Sequence, residues 1–155
     1  MKFETTRCLI RKFEENDIDD FMIYRNDSSW MKYQDFKGRS KQEYSKSLLG
    51  SSTLETGVQL AIICKANGRL IGDLYIKKED DAFWIGYTIT PSSARRGYAY
   101  ETVSGLIAWI TEQGSDRILA SAEPENIPSI NLLKKLNFIF TGTDDSGDQI
   151  YELRC

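Results

Sequence analysis

The chain has 155 residues, of which 41% are hydrophobic and 12% aromatic. That is the makeup of one globular domain with a substantial core and not of a disordered segment. A formal net charge of −3 argues against general nucleic-acid binding, which depends on neutralising phosphates, and the absence of histidine excludes Ser-His-Asp and Cys-His catalysis and most catalytic zinc sites.

Acid–base chemistry must then come from carboxylates, Lys, Tyr, Cys or a weak donor such as Ser, with water helping. No apolar run approaches the roughly 20 residues that span a bilayer. The opening "MKFETTRCLIRKFEEND" lacks the long apolar stretch of a signal peptide. A cytoplasmic protein with no membrane partner is expected. Cys8, Cys64 and Cys155 are far apart with no C-x-x-C pair, which supports neither zinc nor a disulfide framework. Cys8 and Cys64 read as small buried hydrophobes and Cys155 as a terminal thiol.

In chain order, "RCLIRKF" predicts a first strand. "NDIDDFMIYRND" predicts a helix with Asn16 as N-cap and Ile18, Phe21 and Met22 at helical spacing. Residues 28–40 are aromatic but aperiodic and predict loop or short turns; "KQEYSKSLL" predicts a second helix stopped by Gly50. "VQLAIICKA" and "RLIGDLYIKK" flank Asn67-Gly68, a hairpin signal. "AFWIGYTIT" is the next strand, with Phe83, Ile85, Tyr87 and Ile89 on one face, and Pro91 ends it. Ala99, Val103, Leu106, Ile107 and Ile110 form a helical stripe closed by Gly114. "RILASAE" is strand-like, and "IPSINLLKKL" is a helix with Ile127, Ile130, Leu133 and Leu136 in register and Asn137 in a left-handed C-terminal place. Two antiparallel strands around Ser146-Gly147 end the chain. The order β-α-α-β-β-β-α-β-α-β-β is a mixed α/β (α+β) pattern in one domain, residues 1–155, without repeats or a linker.

The stretch "PSSARRGYAYE" carries the chemistry that can be read directly. A helix N-terminus presents unpaired N–H groups and the positive end of the helix dipole, so it can hold an anion. Gly97 lets backbone approach a phosphate, Ala99 keeps the next inward site small, and Arg95 and Arg96 can add charge-assisted contacts. A plain helix start with solvated arginines fits the same residues, and the stretch alone leaves both open. Neither G-x-x-x-x-G-K-[ST] nor G-x-G-x-x-G occurs, which argues against a nucleotide triphosphatase or a Rossmann enzyme.

"IGYTITPSSARRGYAYE" followed by "ENIPSINLLKKLNF" resembles the GCN5-related N-acetyltransferases, and within them the branch that acetylates ribosomal-protein N-termini. The resemblance runs from "TTRCLIRKF" to "YELRC". Ala94-Arg95-Arg96-Gly97-Tyr98-Ala99 matches the family's Q/R-x-x-G-x-G/A loop, with Ala94 departing from the usual first residue. It implies a central, mostly antiparallel twisted sheet flanked by helices, with a V-shaped splay between the fourth and fifth strands. Acetyl-CoA is the implied cosubstrate, its pyrophosphate on the loop backbone of Arg95, Arg96, Gly97, Tyr98 and Ala99. Its pantetheine arm would lie in the splay against the backbone of Tyr87, Thr88 and Ile89.

By the same resemblance, Asn126 would bond the cofactor arm, although it also suits helix capping before Pro128. Relatives carry a tyrosine acid where this chain has Leu133; Ser129 stands where the ribosomal-protein branch carries a serine proposed for that role. A serine hydroxyl is a poor proton donor to a thiolate near 8.5, so hydrogen bonding to the leaving thiolate is the more defensible part. Transfer would be direct, in a ternary complex, with a backbone N–H near residues 87–89 steadying the oxyanion. Glu43, Asp73, Glu79 or a water chain could serve as base. Trp30, Tyr33 and Phe36 would line an acceptor cleft or pack. The expected acceptor is a protein N-terminal amine; a polyamine or aminoglycoside amine, or a silent CoA-binding module, are the alternatives. Homodimers are frequent in that family, although no residue here marks an interface.

Overall fold

The computed structural model describes residues 1–155. One sheet of eight strands runs in the order β1-β2-β3-β4-β5-β6-β8-β7. Its strands are β1 (Phe3–Glu4), β2 (Cys8–Lys12), β3 (Val58–Cys64), β4 (Leu70–Glu79), β5 (Ala82–Ile89), β6 (Arg117–Ala122), β7 (Ile139–Thr143) and β8 (Gln149–Arg154). Every ladder is antiparallel except β5–β6. The mixed α/β architecture with a mostly antiparallel sheet is as expected; the two-residue β1 is an addition to the seven predicted strands.

Helices α3 (Tyr98–Glu112) and α4 (Ile127–Lys135) cover one face. Val103, Leu106, Ile110, Ile130 and Leu133 bury there against Ile10, Leu60, Ile62, Leu74, Phe83 and Ile118. Full burial of one such side chain is worth about 1.5–3 kcal/mol. Helices α1 (Ile18–Arg25) and α2 (Lys41–Leu49) cover the other face, where Ile18, Phe21, Tyr24, Tyr44 and Leu48 pack on Ala61, Ile63 and Leu70. Cys8 and Cys64 are buried and Cys155 exposed, as expected. No helix is long and apolar enough to cross a membrane.

Three local expectations are corrected. Asn16 does not cap α1: a 3-10 turn over Glu15–Asp17 precedes the helix, and Asp17 accepts the Glu14 N–H at 2.8 Å while its own N–H reaches the Glu14 carbonyl. Ile127 is 54% exposed and outside the α4 stripe. Spacings of three fall short of a 3.6-residue turn, so a run at 127, 130, 133 and 136 drifts half-way round the helix, and only its later members face the sheet. In α3 the inward position near the start is Thr102, whose hydroxyl donates to the Tyr98 carbonyl at 2.8 Å; Ala99 is half-buried.

A bulge positions part of the site. Register shifts between Ile62 and Ile63 give β4 one residue more than β3 in that span. Leu70 and Asp73, three apart, therefore both face α1 and α2, which a regular period-two strand forbids. Gly72 lies in this bend, where a Cβ would sit 2.2 Å from the Thr88 carbonyl oxygen.

Candidate active site

The site begins where β5 and β6 part. They pair only at Phe83–Ile118 and Trp84–Leu119, although β5 runs on to Ile89 and β6 to Ala122. β5 stays on β4 along its whole length, and β6 follows β8 through six residue pairs. The Thr90 N–H donates to the Ile71 carbonyl at 2.8 Å, which makes Gly72–Ile89 a wide pair of the β4–β5 ladder. By alternation, Thr88 spends its backbone groups on Asp73, while Tyr87 and Ile89 turn theirs into the gap. The Trp30 indole N–H donates to the Ile89 carbonyl at 2.9 Å, on that side.

A cleft of about 640 Å3 occupies the gap and the α1–α2 side of the sheet. Tyr33, Phe36, Trp84, Tyr87, Thr88, Ser121, Asn126, Ser129 and Asp148 are among its lining residues. Ser129 enters from the first turn of α4, and its Oγ lies 2.7 Å from the Tyr87 hydroxyl. Asn126 caps that helix by accepting the Ser129 N–H at 3.4 Å. Burial, partly offset by the bond to Ser129, pushes the Tyr87 phenol up to about 12.

The loop after β5 continues from the gap to α3. Ala94 is extended, Arg95 and Gly97 have φ of 62° and 81°, and α3 starts at Tyr98. No N–H from Arg95 through Tyr100 donates to a protein acceptor. A non-glycine residue in the left-handed region is uncommon and strained; here it helps set a row of free donors at the positive end of a 15-residue helix. These free donors are backbone groups, so Ala94 at the first place of the loop removes none of them.

Arg7 and Glu101 hold this loop. The Arg7 Nε donates to Glu101 at 2.7 Å, its Nη1 donates to the Arg96 carbonyl at 3.0 Å, and its guanidinium lies 4.1 Å over the Tyr98 ring. Glu101 also accepts from the Thr5 hydroxyl and the Arg7 N–H. Partial burial would raise the Glu101 carboxyl, but the bonds from Thr5 and Arg7 outweigh it and hold the group below its ordinary value.

The candidate bases separate clearly. Glu43 caps α2, where the Ser40 N–H donates to its carboxylate and holds it low. Glu79, at the end of β4, pairs with Lys77 at 3.8 Å. Asp73 lines the cleft but is saturated: it accepts from Arg25 at 2.6 Å, from Gln59 at 2.6 Å and from the Tyr24 hydroxyl. Arg25 in turn donates to the Phe36 carbonyl and the Thr88 hydroxyl. Asp148 has no such partners, and desolvation together with the charges of Asp144 and Asp35 raises its carboxyl.

Of the three loop aromatics, Trp30 and Tyr33 bridge the gap, Tyr33 by donating to the Glu125 carbonyl at 3.3 Å. Phe36 packs on Phe21 and Tyr44. Arg7, Arg25, Gln59, Glu101 and Asp148 escaped the sequence reading. Only Arg25 had a signal there: it continues the Ile18–Phe21 stripe at helical spacing, a charge where an apolar residue belongs.

Residues 7–139 match the family model described as an acetyltransferase (GNAT) domain. The chain is 30% identical over 139 residues to the uncharacterized N-acetyltransferase YnaD of Bacillus subtilis (strain 168), covering 88% of this chain and 81% of that one. A GNAT-family acetyltransferase from Bacillus anthracis superposes with a TM-score of 0.85 at 23% identity, over 99% of this chain and 98% of its own. RimL, a ribosomal-protein α-N-acetyltransferase solved with coenzyme A, gives 0.86 at 16% identity, over 99% and 98%. The chain belongs to the GNAT acetyltransferases and is an N-acetyltransferase.

Proposed function

We propose that the protein transfers the acetyl group of acetyl-CoA directly to the α-amine of a protein N-terminus. The pyrophosphate would lie on the free N–H groups from Arg95 to Ala99, and the pantetheine arm along Tyr87 and Ile89, with Asn126 beside it. The coenzyme A complex of RimL supports this cosubstrate. The acceptor would enter between the α1–α2 loop and the β7–β8 turn. Its neutral amine attacks the thioester carbonyl, a backbone N–H of β5 holds the oxyanion, and Ser129 hydrogen-bonds the departing thiolate.

One observation carries the acceptor class: the buried carboxylate in the cleft, Asp73, is consumed by Arg25, Gln59 and Tyr24. No strong buried base is left, which suits an α-amine near pH 8 better than a lysine or polyamine amine near 10.4. Asp148, with its raised carboxyl, is the group best placed to accept the modest proton load. The acidic lining of Asp35, Glu123 and Asp148 favours a cationic acceptor, the feature a polyamine would share.

The test is thiol release from acetyl-CoA with peptides bearing a free N-terminal Ala or Ser, N-terminally blocked lysine peptides, and spermidine. The free N-termini should turn over at least about ten-fold faster at pH 7, reflecting their larger neutral fraction. Preferred turnover of spermidine would refute the acceptor class.

A further inference from the structure

Ser129 is given a role at the sulfur by the reading above, and the present inference rests on that reading. A hydroxyl helps a leaving thiolate only if its proton points at the sulfur. A serine hydroxyl on a helix can turn its proton onto the carbonyl of the preceding turn instead. The Ser129 Oγ makes no such bond, and its single hydrogen-bond partner is the Tyr87 hydroxyl at 2.7 Å. One of the two must donate.

We propose that Tyr87 is the positioning residue of the leaving-group site: its phenol O–H donates to the Ser129 Oγ and leaves the Ser129 proton free to point into the cleft at the thioester sulfur. A phenol is the stronger acid and the weaker acceptor of the pair, so donation from Tyr87 is the favoured direction. The Tyr87 hydroxyl also faces the Ser129 carbonyl at 3.3 Å, a competing acceptor for its one proton, but the 2.7 Å contact to Oγ is much the shorter and takes that proton. Tyr87 sits on β5, one of the two strands that border the gap, so the same residue offers backbone to the arm and orients the hydroxyl at its end. Being held near 12, the phenol keeps its proton through neutral and moderately alkaline pH, and the orientation persists there.

No proton leaves either hydroxyl in this scheme. The carbon–sulfur bond breaks with its electron pair going to sulfur, the thiolate accepts the Ser129 hydrogen bond, and the proton lost by the acceptor amine balances it through solvent. This restores a donor at the sulfur in a chain where Leu133 replaces the tyrosine acid of relatives.

The test needs no acceptor. Coenzyme A with a free thiol is bound to wild type, Tyr87→Phe, Ser129→Ala and the double variant, and the thiol pKa of the bound ligand is read from the ultraviolet thiolate band. One charge-assisted hydrogen bond corresponds to about one pKa unit, a ten-fold change in the ionisation constant. Each single variant should raise the bound thiol pKa by about that amount, and the double variant no further. If Ser129→Ala raises it and Tyr87→Phe does not, the positioning role is refuted. If Tyr87→Phe alone raises it, Tyr87 addresses the sulfur directly and the proposed geometry is wrong. If coenzyme A does not bind wild type, the functional reading itself fails, and this inference with it. Circular dichroism on each variant confirms that the removed hydroxyl has not unfolded the chain.

Discussion

Asp73→Asn is the sharpest perturbation of the cleft floor, because it removes a charge and little volume. Arg25 and Asp73 are 2% and 1% exposed, and their ion pair spans 2.6 Å. The Arg25 Nε has no partner at all, so Asp73 supplies the only opposing charge paired with this guanidinium. With Asn at 73 the guanidinium stays buried and uncompensated, which costs about 3–5 kcal/mol. Gln59 and Tyr24 must then share a single acceptor oxygen, so the upper end of that range is expected. For a chain of this size each kcal/mol lowers Tm by about 2–4 °C, giving a fall of roughly 6–20 °C. Urea unfolding at pH 7 measures it, and the cycle with Arg25→Met isolates the pair: the double variant should be less destabilised than the sum of the singles. Because Arg25 also holds the Phe36 carbonyl and the Thr88 hydroxyl, KM for the acceptor should rise as well. A loss below about 1 kcal/mol would place this pair with solvent-exposed ones and refute the account.

Two further outcomes concern the loop. Gly97→Ala places a Cβ 3.4 Å from the Arg7 Nη2, which is ordinary contact, so the cost comes from φ +81°. That conformation costs about 1–2 kcal/mol for an alanine, and calorimetry should show acetyl-CoA affinity falling by roughly ten-fold or more as the donors lose alignment. Glu101→Gln should leave a weaker dependence of stability on pH in acid. Its carboxyl is lowered in the folded state, so its stabilisation is present above the ordinary value of 4.5 and is lost as pH falls through the lower folded value. Urea midpoints between neutral and acid pH should drop less in the variant than in wild type.

How far the sequence reaches depends on whether a signal is local. Ser40 and Glu43 cap α2 reciprocally, and both ends of that helix fall where the residues place them. Asn137, chosen for left-handed backbone, has a φ of 71°, and Gly97, chosen to let backbone approach a phosphate, has 81°. The alternation of Phe83, Ile85, Tyr87 and Ile89 is the observed core-facing pattern. What was missed depends on long-range register. Asp73 stands among the candidate bases in the sequence, and its pairing with Arg25 appears only once the bulge beside Ile62 turns it under α1, while Arg7 becomes a loop clasp only when β2 brings it beside α3. Asp148 lies in a turn whose place over the cleft follows from β8 inserting between β6 and β7, an order no local pattern encodes.

That order also explains why the sheet opens. β1 to β5 form one antiparallel meander and β6, β8 and β7 a second ladder, and only two residue pairs join them. Each half is internally paired, so the chain can part them without unpairing either. The outcome is an open strand edge in the middle of a sheet, where an edge would ordinarily invite unwanted pairing. Trp30 occupies one carbonyl of that edge, and the loop bearing Trp30 and Tyr33 bridges its rim. The remaining groups, at Tyr87 and Ile89, match an amide-rich arm that pairs as a short strand would. Hydrogen exchange can read this residue by residue. Without ligand, the Thr88 amide should exchange slowly, being bonded within β4–β5, while those of Tyr87 and Ile89 exchange fast. Coenzyme A should slow Tyr87 and Ile89 and leave Thr88 nearly unchanged. Equal slowing of all three would mean general rigidification, and protection confined to Thr88 would mean that the ladder alternation derived from the Thr90–Ile71 bond is wrong.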